Sequence, residues 1–150
     1  SRSGSFLIGG TASGNPLSCA VASAVLGYVR DHDLIANAAA VGAYFQTCLE
    51  EIKATHPIVG DVRGMGLLRG VELVADQQTK APFPAAAQIA KKIGEQTFAR
   101  GLLSYPGQGT VDGTNGDHIL YAPPLTITRA QIDELTSILN KALTAVEADL

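Results

Sequence analysis

Tryptophan is absent from the 150-residue chain, and phenylalanine and tyrosine bring the aromatic share to only 5%. A core must therefore be built from aliphatic side chains, which the hydrophobic share of 46% can supply. Charge is also thin, at 17% of residues, with 11 basic against 14 acidic groups and a net charge of -3. Without a basic excess there is no field to hold a nucleic acid or an anionic membrane surface, and both partners are set aside. Cysteine is nearly lacking: Cys19 and Cys48 lie within helical patterns and form no CxxC or Cys/His cluster. That spacing suggests no zinc or other metal site and reads as two buried thiols in a cytoplasmic protein. No apolar run approaches the roughly 20 residues of a membrane span, and no basic-then-apolar signal opens the chain. The opening "SRSGSFLIGG" starts at Ser1 with no initiator methionine and turns apolar at once, as though cut from something longer.

What is present is a strong succession of element signals. Asn15 as N-cap, Pro16 at the first helical position, and Leu17, Val21, Ala24, Val25 and Tyr28 at helical spacing predict a helix to about Arg30. The "DHD" at 31–33 breaks it, Asp33 is placed to cap the next helix, and Leu34, Ala38, Val41, Phe45, Leu49 and Ile52 continue an apolar stripe until His56-Pro57. From 58 to 76 the chain turns β-branched and glycine-rich, which predicts two short strands around Arg63-Gly64-Met65-Gly66. A helix over about 85 to 99 follows, with Ala87, Ala90, Ile93 and Phe98 loosely periodic. Then come "LLSY" as a strand, a glycine-rich loop at 107–116, "HILYA" as a strand, and Pro123-Pro124 as a stop. Thr128 and Gln131 form a capping box for a last helix whose face carries Ile132, Leu135, Ile138, Leu139, Leu143 and Val146. The order ββ, α, ββ, α behind two helices reads as α+β, a small sheet with helices on one side.

Chemistry is harder to read from the pattern. The stretch "GGTASGNP", 9–16, sets glycines, Thr11 and Ser13 just before a helix N-terminus, where backbone N–H groups and partial positive charge suit a phosphate. It has no Walker lysine and no GxGxxG, so by pattern alone it reads first as a turn. The second glycine-rich run, "GQGTVDGTNGD", lies between strands and reads as a long hairpin loop. Arg63 and Arg69 could each bind a carboxylate, although exposed sheet arginines mostly solvate or pair locally. His32 and His56 sit at helix ends as caps or solvated groups. His118 and Asp117, being neighbours in a strand, point to opposite faces and make no dyad.

Four blocks in order, "GGTASGNPLSCA" (9–20), "VGDVRGMGLLRGVELV" (59–74), "GLLSYPGQGT" with "GDHILYAPPLTIT" (101–128), and "QIDELTSILNKAL", resemble the class III pyridoxal-phosphate-dependent aminotransferases of the aspartate-aminotransferase-like fold. They span nearly the whole chain. The resemblance implies the C-terminal third of such an enzyme: residues 1–54 as the end of the large cofactor-binding domain and its crossing helix, and 55–150 as the small C-terminal α+β domain. Its first helix is then expected to expose apolar surface that the rest of the enzyme covers. The implied cofactor is pyridoxal 5'-phosphate, with an amino donor and a keto acid acceptor as substrates. Thr11, with Gly10 beside it, matches the position that holds the cofactor phosphate of the partner subunit, which implies a homodimer with shared active sites.

The departures from that pattern carry weight too. The resemblance places the family's Schiff-base lysine upstream of this motif and of Ser1, the first residue of the chain. Lys53, Lys80, Lys91, Lys92 and Lys141 are not in its place, so no catalytic residue is assigned and the chain alone is expected to be inactive. Leu120 stands where members acting on ornithine-like substrates carry a carboxylate-clamping arginine. An apolar side chain cannot replace a bidentate clamp, which points to an amine, an ω-amino acid or a differently held keto acid. Asn15 in the "GTxSGNP" form is similar to the glutamate-1-semialdehyde aminomutases, leaving that reaction, or a non-catalytic structural or dimerisation segment, as the alternatives.

Overall fold

The computed structural model describes residues 9–10 and 13–150, so Ser1, the residue upstream of which the Schiff-base lysine is expected, and Thr11, the expected phosphate donor, both lie outside the described residues. It contains helices α1 (Pro16–Asp31) and α2 (Leu34–Thr55), strands β1 (Val59–Met65) and β2 (Leu68–Leu73), helix α3 (Ile89–Ala99), strands β3 (Tyr105–Gly107) and β4 (Asp117–Tyr121), and helix α4 (Arg129–Glu147). The α+β order expected from the sequence is observed. The chain divides into two compact units, one reaching to Ile35 and the other running from Ala36 to Leu150.

In the first unit, α1 starts as its caps dictate: Asn15 accepts a bond from the Ser18 amide at 3.1 Å and Pro16 opens the helix. No α1 residue is buried, and Leu17, Val21, Val25 and Tyr28 all stand more than half exposed, so the helix presents the apolar surface anticipated for it. Cys19, expected to be buried, is exposed on it. His32 closes the helix, its backbone N–H reaching the Tyr28 and Arg30 carbonyls. Asp33 does not act as the expected cap. Its backbone is left-handed, with φ +51, whereas an N-cap needs an extended one to aim its carboxylate at the next turn.

The second unit is a four-stranded antiparallel sheet of order β1-β2-β4-β3 with its core on one face. Register explains the sidedness. Arg69 lies opposite Tyr121, Val71 opposite Ile119, and Leu73 opposite Asp117, and all six are buried. Because side chains alternate, Gly70, Glu72, His118 and Leu120 occupy the other face, where they are only half-buried. The inner face packs with Val41, Phe45, Leu49 and Ile52 of α2, Ile89 and Ile93 of α3, and Ile132, Leu139 and Leu143 of α4. The α2 and α4 stripes are those the periodicity predicts, and Thr128 and Gln131 do form the reciprocal capping box.

Three local expectations are corrected. The 85–99 helix is interrupted at Gln88, whose φ of +51 separates a 3₁₀ turn (Ala85–Ala87) from α3. Restarting at Ile89 sets the inward face as Ile89, Ala90, Ile93 and Thr97, and leaves Phe98 70% exposed. Strand β3 is Tyr105–Gly107 instead of "LLSY". Tyr105 pairs with Leu120, so an earlier start would lay Leu102 against Pro123, and proline has no N–H to give a ladder. His56 is 5% exposed, neither solvated nor simply a cap. Its Nδ1 lies 2.7 Å from Glu147 Oε2 and its Nε2 2.9 Å from Asn140 Oδ1, tying the end of α2 to α4.

Helix α2 meets the β1–β2 hairpin backbone to backbone. A Cβ at Gly42 would lie 2.3 Å from the Gly66 carbonyl oxygen, a rigid obstacle, so this glycine is required by close approach. Gly42→Ala is expected to destabilise the full-length protein by about 1–3 kcal/mol, the range for overpacking. Urea unfolding checks it.

Candidate functional site

Before α1 the described residues Gly10 and Ser13 are exposed and bonded to each other. The Ser13 amide donates to the Gly10 carbonyl at 2.9 Å, and the Gly10 amide donates to Ser13 Oγ at 3.1 Å. Ser13 Oγ therefore accepts a bond that holds the Gly10 amide. A Cβ at Gly10 would meet only Ser13 Oγ, at 3.6 Å, so the described part of the turn itself does not demand glycine there. At the helix end Pro16 has no N–H and Ser18 is capped by Asn15, which leaves the helix terminus itself poorly supplied with donors. A phosphate seated here depends on hydroxyls and on bare backbone in the turn, and those residue types suit it.

The open sheet face supplies a second feature. Tyr105 of β3 and Leu120 of β4 stand directly opposite each other, and both line a groove of about 590 Å³ that runs past Pro123 and Pro124 to α4. Tyr105 is 69% exposed. On the same face Glu72 and His118 are register partners, and the His118 ring lies over Gly107, where a Cβ would come within 2.3 Å of it. Across the sheet Arg63 reaches Asp61 Oδ2 at 3.0 Å and Glu72 Oε2 at 3.1 Å, the local pairing anticipated for an exposed arginine.

Arg69 departs from that expectation, because its position in the register turns it inward. Its Nη1 donates to Gln46 Oε1 at 2.6 Å and to the Gly64 carbonyl at 2.9 Å, and its Nη2 to the Gly42 carbonyl at 2.9 Å. Among the described residues no carboxylate joins it, and burial pulls its pKa below the ordinary arginine value. It is a strut between α2 and the hairpin, unavailable to a ligand. Nothing local in the sequence marks it, since its contacts on α2 come from a distant part of the chain.

Asp117 and His118 do face opposite ways. Asp117 is 1% exposed and accepts the Ala90 amide at 3.0 Å, which makes it the N-terminal cap of α3 that Gln88 fails to provide. The 108–116 loop joins β3 to β4 as the expected hairpin connection. Its Asp112 accepts the Thr114 and Asn115 amides at 2.9 and 2.7 Å, and the Asn115 amide is the main cause holding its carboxyl below the usual range. Cys48 lies near Tyr44, whose hydroxyl donates to Asp133 Oδ1 at 2.5 Å; that bond raises the Tyr44 pKa. Burial raises the Cys48 thiol, the opposite of what a nucleophile needs. Of the lysines, Lys53 pairs with Asp61 at 3.3 Å and Lys80 donates to the Gly60 carbonyl at 2.5 Å.

Among the described residues no three His, Cys, Asp or Glu side chains gather to hold a metal, and no helix is long and apolar enough to cross a membrane. The two arginines differ in a measurable way. Arg69→Ala is expected to cost about 2–4 kcal/mol, because it leaves buried acceptors unpaired, whereas Arg63→Ala should stay within about 1 kcal/mol. Denaturant unfolding of the two variants of the full-length protein separates them.

Comparison with known proteins returns one family. The family model described as "Aminotransferase class-III" matches residues 2–143. An uncharacterized aminotransferase of Schizosaccharomyces pombe is 44% identical over 91% of this chain and 30% of its own length, and one of Bacillus subtilis is 40% identical over 99% of this chain and 33% of its own. The chain thus spans about a third of the length of these curated relatives. An amine transaminase from an uncultivated Pseudomonas species, solved in a PLP-bound form, superposes with a TM-score of 0.83 at 34% identity, covering 97% of this chain and 31% of that one.

Proposed function

Because the chain belongs to the class III aminotransferases, we propose that it is the C-terminal third of a pyridoxal-phosphate-dependent enzyme that moves an amino group from an amine or amino acid to a keto acid. The observation that carries this reading is the extent of the match: one family accounts for residues 2–143, turn, sheet and terminal helix together. When bound, pyridoxal phosphate supplies the electron sink on which such a transfer depends. The protein's part in this region is to hold and to shape.

Thr11 would donate its hydroxyl to the cofactor phosphate, and Gly10 would leave the backbone bare for the approach. Ser13 fixes the Gly10 amide, and its hydroxyl would offer a second donor two residues from the first. In this reading the phosphate belongs to the partner subunit, and the active enzyme is a cytoplasmic homodimer. The lysine that bonds the cofactor is expected upstream of Ser1 in the full protein, and none of the lysines of this chain is assigned to that role. Asn15, the residue shared with aminomutases, already has a local purpose in capping α1, so no specific observation favours the mutase.

In the full-length enzyme Thr11→Ala should weaken cofactor binding by about 1.5–3 kcal/mol, roughly ten- to hundredfold, since it removes a hydrogen bond to a charged group. Titrating the apo-protein with cofactor by absorbance measures this. Unchanged affinity would remove Thr11 from the site.

A further inference from the structure

Of the four asparagines in the chain, Asn115 alone is followed by glycine. Such a pair is chemically labile, because glycine has no Cβ to keep its backbone nitrogen away from the side-chain amide of the residue before it. Here the glycine is fixed by the fold. Gly116 has φ +103, and a Cβ on it would come within 2.7 Å of Thr110 Oγ1 and 2.9 Å of the Val111 amide nitrogen. Its own N–H donates to no group among the described residues. The Asn115 side chain, by contrast, is held at both ends. Its Oδ1 accepts the Ala85 amide at 3.1 Å, and its Nδ2 donates to Asp112 Oδ2 at 2.8 Å. The backbone on either side of that amide is tied as well: the Asn115 N–H donates to Asp112 Oδ1 at 2.7 Å, and its carbonyl accepts the Val111 amide at 3.0 Å.

We propose that Asn115 is a modification site, at which ring closure and hydrolysis turn the asparagine into aspartate and isoaspartate, and that Asp112 and the Ala85 amide latch it against that reaction. The Gly116 nitrogen loses its proton to solvent and bonds to the side-chain carbonyl carbon of Asn115. The bond from that carbon to Nδ2 breaks, and ammonia leaves with a proton drawn from water. Water then opens the cyclic imide at either carbonyl; it is the only co-reactant, and nothing is oxidised or reduced. Closure swings the side chain onto its own backbone, so the contacts at Oδ1 and Nδ2 must break first. Each should slow the reaction roughly two- to tenfold, the worth of one ordinary hydrogen bond. Asp112 is ionised, because the Asn115 amide holds its carboxyl below the usual range, and its negative charge beside Nδ2 opposes the oxyanion that attack creates. Conversion reverses the latch. A carboxylate then stands where Nδ2 donated, so Asp112 faces a like charge, and in isoaspartate the main chain of the loop is also one methylene longer.

Two substitutions open the latch from different sides. Asp112→Ser keeps a short acceptor for the Thr114 and Asn115 amides but does not reach Nδ2. Ala85→Pro removes the other donor, at a position whose preceding residue, Pro84, already has the extended ψ of 135 that a following proline demands. Peptide mapping by mass spectrometry of the full-length protein, kept at mildly alkaline pH beside a synthetic peptide of residues 108–120, follows the one-dalton gain at Asn115. The folded protein should convert at least tenfold more slowly than the peptide, and each substitution should raise its rate at least threefold, with aspartate and isoaspartate both formed. Ala85→Pro leaves the loop's own residues untouched and covers the case in which Asp112→Ser disturbs the loop. A peptide that forms no isoaspartate overturns the modification site; equal rates in protein and peptide, or acceleration by neither substitution, overturn the latch. Amide hydrogen exchange of the full-length Asn115→Asp protein reads the consequence of conversion. The amides of Thr114 and residue 115 should exchange at least fivefold faster than in the wild type, and unchanged exchange overturns the release.

Discussion

The guanidinium of Arg69 joins two elements: α2, through the Gly42 carbonyl and the Gln46 side chain one turn on, and the β1–β2 hairpin, through the Gly64 carbonyl. Around it α2 and the hairpin approach so closely that Gly42 has room for hydrogen alone. With the hairpin held, β2 can present only Arg69, Val71 and Leu73 to the helices, and its register with β4 assigns Ile119 and Tyr121 to the same side. The other side is settled by the same alternation. Leu120 faces outward because Ile119 and Tyr121 face in. A buried cation without an anion is a costly strut, but three oxygen acceptors shared between two terminal nitrogens suit the fork of an arginine as they would suit no other side chain.

Much of this arrangement is legible in the residues. Asn15-Pro16, the stripe from Leu34 to Ile52, the hairpin glycines and the Thr128–Gln131 box are local signals whose partners lie within a few turns, and each element forms where they place it. Contacts with distant parts of the chain are what the local signals do not show. Arg69 reaches back 27 residues to the Gly42 carbonyl, His56 forward 84 and 91 residues to Asn140 and Glu147, and Asp117 back 27 residues to the Ala90 amide. No spacing rule sees such contacts. Arg69 reads as exposed in sequence because its inward parity depends on pairing with Tyr121. Strand β3 starts late because of a proline on the opposing side, and α3 loses Phe98 from its face because Gln88 resets the helical phase. The cradle is legible from pattern as a turn, while its anion comes through family resemblance, and Thr11 lies outside the described residues.

The site features divide by what supports them. Before α1, the proposed phosphate contact rests on residue type: hydroxyls, glycine backbone and an N-cap that keeps the helix end to itself. On the sheet, proximity is set by register, since Tyr105 and Leu120 are neighbours only because β3 pairs with β4. The first can be read one residue at a time; the second exists only in the folded molecule.

The cap that Asp117 provides to α3 has a bearing on the order in which the molecule assembles. Its bond to the Ala90 amide closes a separation of 27 residues that takes in α3, β3 and the 108–116 loop. Eleven residues are too few for a helix to persist alone in water, and this one also lacks a local cap. The cap of α3 is therefore available only once β4 has been brought back to it, at the entropic cost of closing that loop. A helix that in sequence precedes the hairpin thus draws its N-terminal cap from it.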